Sequence, residues 1–151
     1  MAPGLRVPLP VVEAFLASWE ERDDRTARID FTVLGEPRVQ NGWKVRWRGL
    51  RVPVIYDPCS RRKTDLRAAI RTAMLEGGLP DDTAFPAGQP LVLSVEYFYK
   101  TAYKRDLDNM TKFLLDALEG AIFPDDNSIM KMELVKKRSA QPRTVVSVST
   151  L

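Results

Sequence analysis

Residues 91 to 100 read LVLSVEYFYK, residues 105 to 120 read RDLDNMTKFLLDALEG, and residues 125 to 135 read DDNSIMKMELV. In the first segment Leu91, Leu93, Val95, Tyr97 and Tyr99 fall on alternate positions, the period of a strand with one face turned to a core. In the second, Met110, Phe113, Leu114, Ala117 and Leu118 recur at steps of three and four. That spacing predicts a helix from Asn109 to Glu119, stopped at Gly120. The third opens with an acidic pair set off by Pro124 and continues into a strand over Ser128 to Val135. Strands and a helix interspersed in this way point to a helix layer on a sheet.

The rest of the chain fills in around that unit. Asp30 to Leu34 reads as a strand, ended by Gly35-Glu36-Pro37. Trp43, Val45 and Trp47 alternate with Lys44, Arg46 and Arg48, and residues 52 to 56 form a partner strand for a hairpin around Gly49. Ser60 is positioned as the N-cap of a helix reaching Glu76, with Leu66, Ile70, Ala73 and Met74 inward and Gly77-Gly78 at its end. Residues 79 to 90 are a loop, and Thr144 to Thr150 is a last strand, expected to pair antiparallel with Ser128 to Val135. Near the start, Val12, Phe15, Leu16 and Trp19 have helical spacing, which predicts a short amphipathic helix over residues 11 to 22. The expectation is an α+β, two-layer domain with a mixed sheet and two main helices over residues 29 to 151. Residues 1 to 28 form an N-terminal helical extension.

Composition excludes several chemistries. With 151 residues the chain suits one compact domain. It contains no histidine and a single cysteine, Cys59, to which no role is assigned. Ser-His-Asp and Cys-His nucleophiles, imidazole zinc sites and an intrachain disulfide are therefore all ruled out. No apolar run approaches the length of a membrane helix and the first residues lack a secretory pattern, so a cytoplasmic location without a membrane partner is expected. Any cation must rest on carboxylates, carbonyls and water, which suit Mg²⁺ or Mn²⁺.

Charge is unevenly spread. Net charge is +3, yet residues 38 to 63 hold eight basic residues against Asp57 alone. A concentrated basic stretch suits a phosphate backbone. Lys44, Arg46, Arg48, Arg51, Arg61, Arg62 and Lys63 are the candidate DNA contacts. Trp43 and Trp47 are read as core residues rather than base-stacking ones. Lys63, Arg67 and Arg71 recur every four residues on the second helix-forming segment, a stripe that suits solvent or DNA.

The acidic residues carry the chemistry. Asp106 and Asp108 are two apart where strand gives way to helix, and Lys112 lies one turn beyond Asp108. Asp125 and Asp126 follow the helix. Taken singly, Asp108 is a helix cap and Asp125-Asp126 is turn chemistry. Together, flanking one helix with a lysine in reach, they suit a cation site for phosphodiester hydrolysis. There a metal activates water and neutralises developing charge, and a lysine adds to that neutralisation.

Arg105-Asp106-Leu107-Asp108-Asn109, Lys112, Asp116-Ala117-Leu118 and Asp125-Asp126 before an alternating strand together resemble the RusA-like Holliday junction resolvases, small endonucleases common in phages and prophages. Gly35-Glu36-Pro37 and Tyr56-Asp57-Pro58 are weaker echoes of the same family. The resemblance implies a Mg²⁺-dependent homodimer, with Mn²⁺ a substitute ion, that nicks opposed strands of a four-way junction in DNA recombination and repair. By position it makes Asp106, Asp108 and Asp126 the metal ligands, Asp125 the alternative to Asp126, and Lys112 the catalytic lysine. Asp116, four residues after Lys112, is expected to hold that lysine in place. The competing readings are a branched-DNA-binding protein of the same fold without cleavage, and a nuclease preferring flaps or forks.

Overall fold

A computed structural model describes residues 9–20, 25–40, 44–48, 52–101 and 105–151. Among these residues, seven strands and two α-helices run in the order β1 (Val12–Trp19), β2 (Thr26–Leu34), β3 (Lys44–Arg48), β4 (Val52–Tyr56), α1 (Ser60–Glu76), β5 (Leu91–Tyr99), α2 (Leu107–Leu118), β6 (Ile129–Arg138) and β7 (Arg143–Thr150). One five-stranded sheet has the order β1-β2-β7-β5-β6, and β3 and β4 make a separate antiparallel hairpin. β5 and β6 are parallel, joined through α2, and the other described strand pairs are antiparallel, so the sheet is mixed and the domain is α+β.

The sheet buries one face under α1 and α2. Ile29 and Phe31 of β2, Val146 and Val148 of β7, and Leu91, Leu93, Val95 and Tyr97 of β5 are buried there. They meet Leu66, Ile70 and Met74 of α1 and Met110, Phe113, Leu114, Ala117 and Leu118 of α2 in one core. The Tyr97 hydroxyl is satisfied inside that core by Thr111 Oγ1 at 2.8 Å, and burial pushes its pKa up to about 12. Residues on the other face, such as Thr32, Ser94, Ser147 and Ser149, stay half-exposed. That makes two layers.

Two expectations are corrected. Residues 12–19 are a strand, not a helix: β1 pairs antiparallel with β2 in the main sheet. Between Glu13 and Leu16 the register slips by one residue, with Ala14 at φ 53°, a β-bulge. The extra residue breaks the two-residue alternation, so Val12, Phe15 and Ala17 are the partly buried residues packed on the core. Their uneven spacing mimics a helical period. Phe15 stacks on Phe31 with centroids 6.2 Å apart, and a Cβ on Gly77 at the end of α1 would meet its ring at 3.0 Å.

The second correction concerns the last two strands. β6 and β7 are not neighbours; β5 lies between them. Lys131, Glu133, Lys136, Lys137 and Arg138 make β6 a polar strand that belongs at a sheet edge, where charges keep water. The small apolar β7 fits the interior position, buried between β2 and β5.

Candidate active site

The chain entering α2 is fastened from two sides. Glu36 accepts hydrogen bonds from the backbone N–H groups of Lys100 and Thr101, both at 3.0 Å, and pairs with Arg105 at 3.3 Å. Arg105 also donates to the Pro37 carbonyl and to Thr101 Oγ1, while its own carbonyl accepts from Lys136 Nζ at 3.0 Å. The backbone N–H of Gln40 donates to the Asn109 carbonyl. The Gly35-Glu36-Pro37 break seen in the sequence is thus a brace for the residue directly before Asp106.

Asp106 is the N-cap residue of α2, with extended backbone, and its side chain makes no capping bond. Its carboxylate is exposed, as are Asp108 in the first turn and Lys112 one turn on. The opposite face of α2 carries the buried Met110, Phe113, Leu114, Ala117 and Leu118, so amphipathicity alone sets which side of the helix presents the charged residues.

At the other end of α2 the structure gathers a second acidic group. Oxygens of Glu119, Asp125 and Asp126 all lie within 4.8 Å of one another, the one such cluster of three among the described residues. Asp125 caps a single 3-10 turn, Asp126–Ser128, by accepting from the Asn127 N–H at 2.9 Å. Glu119 accepts from the Asp126 N–H at 3.1 Å. Partial burial first, then contact with Asp125 and the charges of Asp125 and Asp116, raises the Asp126 pKa above the ordinary carboxylate value. Oxygens bound cis or trans to one Mg²⁺ stand about 3 to 4 Å apart. The trio therefore fits a hard cation after a small closure, with an all-oxygen donor set.

Of the expected ligands, Asp126 and its alternative Asp125 belong to this cluster, and Asp106 and Asp108 do not. Glu119 was not anticipated. A signal was available: a carboxylate closing a helix faces the negative end of its dipole, an unfavourable place without a compensating cation.

The basic residues divide. Lys44, Arg61 and Arg62 are exposed. Arg51 and Trp43 lie outside the described residues, as do the side chains of Arg46, Trp47 and Arg48. Lys63 is not a surface contact. It is 7% exposed, with Nζ 2.7 Å from Asp57 Oδ2 and 2.6 Å from Asp116 Oδ2. Burial opposes its charge, but the bonds to Asp116 and Asp57 prevail and raise its pKa. Asp116 is thus held by Lys63 rather than holding Lys112. Arg67 and Arg71 donate to the carbonyls of Asp116 and Gly120, so the stripe on α1 grips the C-terminal end of α2. Cations suit that end of a helix.

The structure is thus a two-layer α+β domain with exposed carboxylates and a lysine at the start of one helix and, at its end, three clustered carboxylates that could hold a hard cation. The family described as Endodeoxyribonuclease RusA matches residues 54–149, from β4 to β7, and the chain belongs to that family. A search of curated proteins finds no match. Among the described residues no helix is long and apolar enough to cross a membrane.

Proposed function

We propose that the chain is a Mg²⁺-dependent endodeoxyribonuclease that resolves four-way DNA junctions by paired symmetric nicks, acting as a homodimer in the cytoplasm. The observation that carries this reading is the overlap of the family match with the acidic site: Asp126 belongs both to the sequence motif and to the clustered carboxylates. Within one chain Asp126, with Asp125 and Glu119, would hold the cation at the end of α2, whereas Asp106 and Asp108, at the start of the same helix, would join the ligand set only across the homodimer. When bound, the ion supplies Lewis-acid stabilisation and a water acidic enough to attack near neutral pH.

The chain's own residues do the rest. Lys112 meets a non-bridging oxygen of the scissile phosphate and offsets its growing charge. Lys44, Arg61 and Arg62, with Arg46, Arg48 and Arg51, neutralise flanking phosphates and give affinity without sequence information. The brace of Glu36 on Arg105 keeps the Asp106 backbone from drifting. Met130, Met132 and Val135 are exposed on the edge strand β6, a surface of the kind a second subunit covers. The nuclease unit spans residues 29 to 151, and β1, from the addition that precedes it, lengthens its sheet.

The test is cleavage of a labelled synthetic four-way junction beside linear duplex and flap substrates, with Mg²⁺ and with EDTA. Paired nicks on the junction, lost in EDTA and in Asp108→Asn, are expected. Binding without cutting would identify a DNA-binding module of this fold, and cutting flaps alone would change the substrate.

A further inference from the structure

Lys63 is held from behind. Its first partner, Asp57, is fixed by the Gln40 side-chain amide and the Cys59 backbone N–H, both at 2.9 Å. Its second, Asp116, lies in the last turn of α2, three residues before Glu119, the residue that caps the end of that helix. The Asp116 charge is also felt at Asp126. The lysine therefore stands between the core and the rim of the acidic cluster, and its ammonium offsets a carboxylate whose charge reaches that cluster. The Asp116 carbonyl is separately held by Arg67, so the backbone there does not depend on Lys63.

We infer that Lys63 is a positioning residue that sets the cation affinity of the acidic site by holding and neutralising Asp116. This rests on the divalent-cation reading above. Without the ammonium, Asp116 adds an uncompensated negative charge beside the cluster, and a divalent cation binds more tightly. A unit charge acting on a divalent ion through water-like surroundings corresponds to roughly a fivefold change in affinity. Without the Asp116 carboxylate, the field turns more positive and affinity falls by a similar factor. A merely structural lysine gives a different pattern, because losing either partner then loosens the site and weakens binding.

The experiment is a titration of the DNA-free full chain with Mn²⁺, free ion being read by electron paramagnetic resonance. It uses wild type, Lys63→Met, Asp116→Asn, the double variant and Lys63→Arg. Lys63→Met is expected to bind roughly fivefold tighter and Asp116→Asn roughly fivefold weaker. The double variant and Lys63→Arg should fall within about twofold of wild type, since both keep the local charge balance. If Lys63→Met does not fold, the double variant against Asp116→Asn decides, because restored affinity is expected only from charge compensation. Both single variants weakening, or no restoration in the double, overturns the inference while leaving the nuclease reading intact. No Mn²⁺ binding by wild type overturns the cation reading and this inference with it.

Discussion

Asp126→Asn removes one of three carboxylates whose oxygens lie within 4.8 Å of one another, and with it two of the three pairwise repulsions. Two unit charges at that range repel by roughly 1 kcal/mol in water-like surroundings. Asp125 is exposed and Glu119 and Asp126 are half-buried, so that value applies, and salt trims it further. Relief of on the order of 1 to 2 kcal/mol remains. The substitution keeps the Asp126 backbone N–H on Glu119, and the new amide is a donor to either neighbour. In a domain of this size each 1 kcal/mol moves the melting midpoint by roughly 2 to 4 °C.

In EDTA near neutral pH the variant should therefore melt about 2 to 8 °C above wild type. Saturating cation reverses the order. Wild type at one hundred times its dissociation constant gains roughly 2.7 kcal/mol, and the variant, short of a ligand, gains much less. Scanning calorimetry of both proteins in EDTA and in Mn²⁺ makes the comparison. A variant that melts at or below wild type in EDTA would refute the repulsion, and an equal gain from Mn²⁺ would remove Asp126 from the cation site.

The raised pKa of Asp126 gives a pH signature, because the folded chain keeps that proton to higher pH than the unfolded chain. The resulting stability is present below the ordinary carboxylate value and is lost as pH rises through the raised one. Metal-free wild type minus Asp126→Asn should thus decline across the mildly acidic range, and a flat difference in urea melts would contradict it. Glu36→Gln weakens the brace on Arg105 and should cost roughly 1 to 3 kcal/mol. It should also slow junction cleavage; unchanged turnover would show that the Asp106 segment holds itself in place. Tyr97→Phe deletes a buried hydrogen bond to Thr111 and should cost about 1 to 2 kcal/mol by chemical denaturation, without changing cleavage. Replacing Arg46 and Arg48 with Ala should weaken junction binding and flatten its dependence on salt, and an unchanged slope would place the hairpin away from the DNA.

Local pattern was enough for most elements. Simple alternation marked β5, three-and-four spacing with a terminal glycine marked α1 and α2, and alternation over residues 43 to 48 followed by a second short strand marked the hairpin. Periodicity is written by a single face against a single core, so it survives wherever an element is regular. It failed at β1, where one bulge residue converted a strand's alternation into the appearance of a helix. The absence of histidine restricted any cation site to oxygen ligands before any geometry was known, and the order of Asp106, Asp108, Lys112 and Asp126 was enough for the family resemblance.

Partnership was decided only in three dimensions. Nothing local says that β7 inserts between β2 and β5, because strand order depends on which strand tolerates having both neighbours, and that is settled by burial of the whole sheet. Nothing local separates Lys63 from Arg61 and Arg62: all three sit in one basic run, but the helix turns Lys63 inward onto Asp57 and Asp116, residues far apart in the chain. Glu119 joined Asp125 and Asp126 for the same reason. Residue type and spacing determine which groups are available and which face of an element they occupy, whereas charges meet across the chain only when the packing of α1 and α2 on the sheet brings them together.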